Sequence, residues 1–237
     1  MCYIDAFAGS GSIKIKGGDE IEGSAIRALK YPFDKFLFFE EDNAILEVLE
    51  HKISLISKDK DIELHNADCN NFLLGIDKIN WISERWRGII FLDPYAMDLD
   101  WICLDKIRST KVFDVWYLFP FMAVNRNMYK KGKIPEANKA KLNRILGTTD
   151  WESVVYYDSP QLNFLEENIK LKTSVNNIKN FIIERLKLTF PTVSEKAVLL
   201  RNTRRSPQFL LCFAGSNPNP QAQALSLRAA DFILSRI

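Results

Sequence analysis

Paired cysteines, long apolar runs and an excess of charge of one sign are all missing from this sequence. The four cysteines, Cys2, Cys69, Cys103 and Cys212, lie far apart and form no C-x-x-C pair. That spacing argues against a zinc site, so no metal is expected, and in a chain of 237 residues it reads as reduced, mostly buried thiols. No apolar run approaches the roughly 20 residues of a membrane span. Asp5 and the glycines after it interrupt what a signal peptide would keep apolar. These absences together predict a cytoplasmic chain with no membrane contact. The 32 Lys and Arg nearly balance the 30 Asp and Glu, whereas a dedicated non-specific nucleic-acid binder is usually far more basic. Internal repeats and low-complexity tracts are absent too.

What is present has an ordinary globular balance, 47% hydrophobic and 26% charged residues, which excludes disorder as the starting point. The length suits one α/β domain, residues 1–237, with an insertion at 124–173. Short apolar runs alternate with helical stretches. Strands are expected at Tyr3 to Phe7, Lys35 to Phe39, Ile62 to His65, Gly88 to Leu92 and Phe113 to Phe119. A closing hairpin follows, Lys196 to Arg201 and Gln208 to Ala214. Helices are expected at Ala25 to Lys30 behind a Gly23-Ser24 cap, Asn43 to Ser57, Asn71 to Ser83, Leu99 to Ser109, Ser174 to Phe190 and Ala222 to Ile237. Ile13 to Glu22, around Gly17-Gly18, reads as a small hairpin or a loop. Strands separated by helices imply a mostly parallel sheet covered on both faces.

Ligands in such a sheet sit beyond the carboxyl ends of the strands, and four of these ends carry suggestive residues. The first has Asp5, followed by Phe7, Gly9 and Gly11. The glycines let the backbone bend sharply and approach a ligand, although two glycines also make a plain tight turn. Lys14 stands where a dinucleotide motif would place its third glycine, which suits a ligand without a pyrophosphate. Asp5 can order the turn or attract an ammonium group. The second end, Glu40, can accept from both hydroxyls of a ribose, while Glu41 and Asp42 serve the next helix dipole. Asp68, at the third end, can accept from an adenine amino group, cap the following helix, or do both. At the fourth, Asp93-Pro94-Tyr95 offers a carboxylate for an amine and an aromatic face for a flat group; a plain Asp-Pro turn is the competing account.

Asp5-Ala6-Phe7-Ala8-Gly9-Ser10-Gly11 and Phe91-Leu92-Asp93-Pro94-Tyr95 resemble motifs of class I S-adenosylmethionine-dependent methyltransferases, and more closely of the three-Cys-motif partner family. Gly23-Ser24, Trp101, Phe119-Pro120, Gly147 and Trp151 fit the same resemblance. It implies a Rossmann-like, seven-stranded sheet whose last strand is antiparallel. It also implies S-adenosylmethionine as cofactor, held by Asp5, Phe7, Gly9, Gly11, Glu40 and Asp68, with Asp93, Pro94 and Tyr95 at the acceptor. A three-Cys-motif partner protein is implied as well. Amino-methyltransferases carry two prolines in the fourth motif and this chain has one, which leaves the target atom open. Relatives usually have helices before the first strand, which here begins almost at Met1, so part of a lid or substrate surface is expected to be missing or supplied elsewhere.

Between Val124 and Gly147 stand Arg126, Lys130, Lys131, Lys133, Lys139, Lys141 and Arg144 against the single acid Glu136. This local excess reads evenly as a phosphate-facing surface or a solvated face. The first expectation is an S-adenosylmethionine-dependent methyltransferase acting on a nitrogen of an RNA or DNA base, with Arg126, Lys130, Lys131 and Lys133 binding the substrate's phosphates. The alternatives are a cofactor-binding accessory protein without turnover of its own and a small-molecule methyltransferase.

Overall fold

The computed structural model describes residues 1–15, 18–57, 59–129, 133–158 and 170–237. The chain begins with β1 (Cys2–Asp5), the hairpin β2 (Ser12–Lys14) and β3 (Glu20–Glu22), and α1 (Ser24–Ala28). Two strand–helix units follow: β4 (Lys35–Glu40) with α2 (Asn43–Ile56), and β5 (Asp61–Asn66) with α3 (Cys69–Gly75). Next come β6 (Gly88–Leu92), α4 (Trp101–Thr110), β7 (Phe113–Phe119) and α5 (Phe121–Asn127). The expected insertion holds α6 (Glu136–Leu146), α7 (Trp151–Val155), and the paired β8 (Tyr156–Asp158) and β9 (Lys170–Lys172). The chain closes with α8 (Val175–Thr189), β10 (Thr192–Val193), β11 (Val198–Arg201), β12 (Pro207–Gly215) and α9 (Pro220–Leu234).

The central sheet runs β5-β4-β1-β6-β7-β12, and β10 and β11 share the outer edge of β12. β5, β4, β1, β6 and β7 are parallel, while β12 runs antiparallel to β7. β10 pairs with Ala214 and Gly215 at one end of β12, and β11 with Pro207 to Leu211 at the other. They therefore form one outer strand interrupted at residues 194–197. Counted so, the sheet has the seven positions and the antiparallel last strand that the resemblance implied. Strand order reverses beside β1, which pairs with β4 on one side and β6 on the other. That reversal opens a crevice at the carboxyl edge.

Alternation decides which residues face which layer. Along β7, Phe113, Val115, Tyr117 and Phe119 are buried, while Asp114, Trp116 and Leu118 are half-buried. The buried set joins Ile4, Leu37 and Ile90 under helices that contribute Leu73, Leu104, Ile107, Leu146, Trp151 and Ile182. On the other face, Tyr3, Phe36 and Phe38 pack with Ala25, Ile26, Leu46 and Leu49 of α1 and α2, and Phe213 packs with Ala230 and Leu234 of α9. At the β5 edge, exposed Asp61 and Glu63 both pair with Lys35. At the opposite edge, the buried Ser194 interrupts the strand and its hydroxyl contacts Asp231 of α9.

Several expectations are corrected. Tyr3 to Phe7 is not all strand: β1 ends at Asp5, because the Phe7 amide turns back to donate to Asp5 Oδ1 at 3.3 Å. Gly23 caps α1 without a side-chain bond, and Ser24 is its first helical residue. The helix expected to reach Ser83 breaks after Gly75 into a 3-10 turn, where the Trp81 indole donates to the Ile76 carbonyl. The Ile13 to Glu22 segment is a hairpin; Lys16 and Gly17 of its expected turn lie outside the described residues.

The described part of the 124–173 segment is tied into the main core rather than added to its surface. Gly147 ends α6 at φ +62°, and a Cβ there would lie 2.3 Å from Cγ of Trp101 in α4. Arg185 of α8 stacks its guanidinium 5.2 Å from the Trp101 ring centroid and donates to the carbonyls of Leu146 and Gly147. Gly147→Ala is therefore expected to destabilise by about 2–4 kcal/mol, combining left-handed strain with overpacking. Urea unfolding monitored by Trp fluorescence checks it, and an unchanged midpoint would show that the Trp101 joint yields freely.

Candidate active site

A cleft of about 800 Å³ lies beyond the carboxyl ends of the central strands. Of the residues expected there, Phe7, Glu40, Asp68, Asp93, Pro94 and Tyr95 border it. Sequence reasoning did not foresee Asn70, Asp98, Asp100 or Phe209 as lining residues, nor which basic residue would enter.

The turn after β1 uses its two glycines differently. Gly9 has φ +58°, and a Cβ built there would meet nothing within 4 Å. Gly11 has φ +73°, and a Cβ there would press on Ile26 and Leu49 at 2.7 and 2.8 Å. Gly9 thus faces open space, while Gly11 brings the chain against α1 and α2. Asp5 sits beneath the turn, fully buried, and does not border the cleft. Its Oδ1 accepts from the Phe7 amide, and its Oδ2 meets no hydrogen-bond partner of good geometry among the described residues. Burial, with a smaller push from the nearby Asp93, raises its carboxyl to about 7 against the pull of Ser24, the Phe7 amide and Tyr3.

Glu40 closes this turn from the neighbouring strand. Its Oε2 accepts from the Gly9 amide at 3.1 Å and its Oε1 from the Asp42 amide at 3.0 Å. Asp42 is the N-cap of α2, accepting from Ala44 and Ile45. Glu41 also borders the cleft, without that tie to the turn. Asp68 caps α3 through the Asn70 amide at 2.9 Å while still bordering the cleft, so capping and ligand contact are compatible there. Asn70 then bridges to the loop after β6: its amide nitrogen donates to the Asp98 carbonyl, and its Oδ1 accepts from the Asp100 amide. The only hint of that in the sequence was its place in the first turn of a helix facing the crevice.

In that loop Asp93 is half-buried, and burial raises its carboxyl above the ordinary range. Its side chain makes no hydrogen bond or ion pair among the described residues. Pro94 is buried, Ala96 takes φ +51°, and Tyr95 stands 84% exposed. Tyr95 is therefore turned largely to solvent rather than laid over Asp93. Of the basic residues between Val124 and Gly147, Arg144 borders the cleft, and its Nε pairs with Asp100 at 2.7 Å. Arg126 and Lys133 are exposed and do not border it. Lys130 and Lys131 lie outside the described residues.

All four thiols are free and buried; burial pushes Cys2, Cys103 and Cys212 up to about 12 and raises Cys69 as well. Among the described residues no cluster of His, Cys, Asp and Glu could hold a metal ion, and no helix is long and apolar enough to cross a membrane.

The sheet order and the antiparallel last strand define a Rossmann-like α/β fold of the class I methyltransferase type. No protein-family model matches the chain, and no curated protein matches it in sequence. Among solved structures it is similar to the N-terminal domain of EvdMO1 with SAH bound, at 10% identity and TM-score 0.43, covering 91% of this chain and 74% of that one. It is also similar to an S-adenosylmethionine-dependent methyltransferase from Mesorhizobium loti, at 13% identity and TM-score 0.39, covering 90% of each chain. A third is the plantazolicin methyltransferase BamL, solved with a desmethyl analogue and SAH, at 7% identity and TM-score 0.34, covering 91% of this chain and 77% of that one.

The buried Asp5 carboxyl makes stability depend on pH. Its folded value of about 7 lies above its ordinary 3.8, so between those values the folded state holds a proton that the unfolded state releases. That contribution is fully present below the lower value and is lost as pH rises through the upper one. Asp5→Asn keeps an oxygen for the Phe7 amide and removes the titration. Its urea midpoint is expected to fall less than that of the wild type from about pH 4 to about pH 8; parallel profiles would show that Asp5 titrates normally.

Proposed function

We propose that this chain is an S-adenosylmethionine-dependent methyltransferase that methylates a nitrogen, with a nucleic-acid base as the expected acceptor. One juxtaposition carries the reading. An open, left-handed Gly9 is hydrogen-bonded to Glu40, and the next strand over ends in a half-buried Asp93 with no partner among the described residues.

The residues fit such a cofactor. A side chain at Gly9 would fill space that the backbone leaves open beside Glu40. Glu40 is placed for ribose hydroxyls and Asp68 for an adenine amino group, with Phe7 on the cleft wall. Asp5 and Gly11 act indirectly, by shaping the turn. When bound, S-adenosylmethionine supplies a methyl group already activated on a sulfonium, which leaves the protein chiefly the work of positioning. Asp93 accepts a hydrogen bond from the acceptor N–H and turns the nitrogen lone pair toward the cleft. Its raised pKa also suits it to take the proton that the nitrogen gives up. The Pro94 carbonyl, in a loop held by Asn70, offers a second acceptor for the amine. Tyr95 swings in from solvent to cover a flat acceptor.

A small-molecule acceptor is the second reading, favoured by the acids Glu40, Glu41, Asp68, Asp93, Asp98 and Asp100 around the cleft, where Arg144 is already paired. This lining suits an amine and repels a phosphate at the reacting centre. Resemblance to the three-Cys-motif partner family adds a partner protein of that kind to the proposal. Incubation with labelled S-adenosylmethionine and total RNA or DNA, then nucleoside analysis, tests the first reading; label found only in small-molecule extracts moves the second ahead.

Two variants separate the roles. Glu40→Ala frees the Gly9 amide and is expected to weaken S-adenosylhomocysteine binding by about 1–3 kcal/mol in calorimetry. A larger loss for Glu41→Ala would move the ribose contact by one residue. Asp93→Ala is expected to remove methyl transfer with cofactor affinity nearly intact. Wild-type turnover in that variant would reduce Asp93-Pro94 to a structural turn.

A further inference from the structure

We infer that the tip of the β11–β12 hairpin is the anchor for a phosphate group of the acceptor, an inference that rests on the methyltransferase reading and names its substrate class. β12 runs antiparallel to β7, with Leu210 opposite Phe119 at the carboxyl end of that strand. The tip joining β11 to β12 therefore lies on the same edge of the sheet as Asp93, and Phe209, just past it, lines the cleft. Three arginines occupy this tip, Arg201, Arg204 and Arg205, all exposed and none in an ion pair among the described residues.

The tip is ordered by its own bonds. Asn202 Oδ1 accepts from the amides of Arg204 and Ser206, both at 3.0 Å, and the Arg201 guanidinium donates to the Arg205 carbonyl at 2.8 Å. The side chains of Arg204 and Arg205 stay uncommitted, and guanidinium is the side-chain group best shaped to hold a phosphate through two parallel hydrogen bonds. The charges are thus segregated, with carboxylates lining the cleft and guanidinium groups unpaired among the described residues on a hairpin at the same edge of the sheet. A substrate with a neutral amine and a phosphate satisfies both if the amine enters and the phosphate stays at the tip. Arg126, Lys133 and the three hairpin arginines all stand outside the cleft lining; the hairpin is joined to that lining through Phe209.

Fluorescence anisotropy with a short labelled single-stranded RNA, and calorimetry with a mononucleotide, test this on the full chain. Arg204→Ala/Arg205→Ala is expected to weaken RNA binding at least about tenfold and to flatten its salt dependence by about 1.4 in log–log slope, two contacts at roughly 0.7 each. Arg126→Ala/Lys133→Ala is expected to match wild type. RNA binding without mononucleotide binding assigns the phosphate to a polymer, and arginine-dependent binding of both assigns it to any phosphate-bearing acceptor. The inference is overturned if the hairpin variant binds as wild type does, or if wild type binds neither probe. Calorimetry with S-adenosylhomocysteine keeps the two readings apart: its binding should survive in the hairpin variant, and its failure in wild type removes the methyltransferase reading while leaving the phosphate result standing.

Discussion

The bond from the Gly9 amide to Glu40 ties the ends of the neighbouring parallel strands β1 and β4, beside the point where strand order reverses. Its geometry needs a left-handed residue at Gly9 and a second at Gly11, where α1 and α2 crowd the backbone. The buried Asp5 holds the turn from below through the Phe7 amide. Once the turn is set, the carboxyl ends of β1, β4, β5 and β6 converge on one cleft, and the acid-bearing ends of three of them border it. The sheet supplies the rigid frame, and this one turn gives the frame a binding edge.

A division of labour between buried and open positions runs through the site. Gly11 and Asp5 fix backbone away from the cleft, Asn70 fixes backbone at its wall, and Glu40 and Asp93 present carboxylates to it. Asp68 does both, because a cap needs one carboxylate oxygen and leaves the other. Charge is divided in the same way. Arg144 is neutralised by Asp100 inside the cleft, so the reacting edge is acidic, and the unpaired cations of the hairpin lie outside it.

Much of the frame was legible in the sequence. β6 and β7 run over the residues expected, Gly88–Leu92 and Phe113–Phe119, because buried central strands end abruptly at polar or turn residues. The order of the four strand ends was legible for the same reason, since a carboxylate just after an apolar run has to lie at a sheet edge. β10 was not foreseen, being two residues long and cut off by Ser194, whose burial depends on Asp231 far along the chain. The choice of Arg144 over its basic neighbours depends on how α6 packs, through Gly147, against Trp101. The exposure of Tyr95 follows from the left-handed turn at Ala96, where nothing in the local sequence calls for one.

The two edges of the sheet also bear on how the chain meets copies of itself. A long, flat outer strand is a template for another chain's backbone. Here β5 carries Asp61 and Glu63 on its rim, clamped to Lys35, and the far edge is broken where Ser194 turns in to α9. Neither rim offers an uninterrupted, uncharged row of free amides and carbonyls. Strand-by-strand growth into fibrils is disfavoured at both ends of the central sheet.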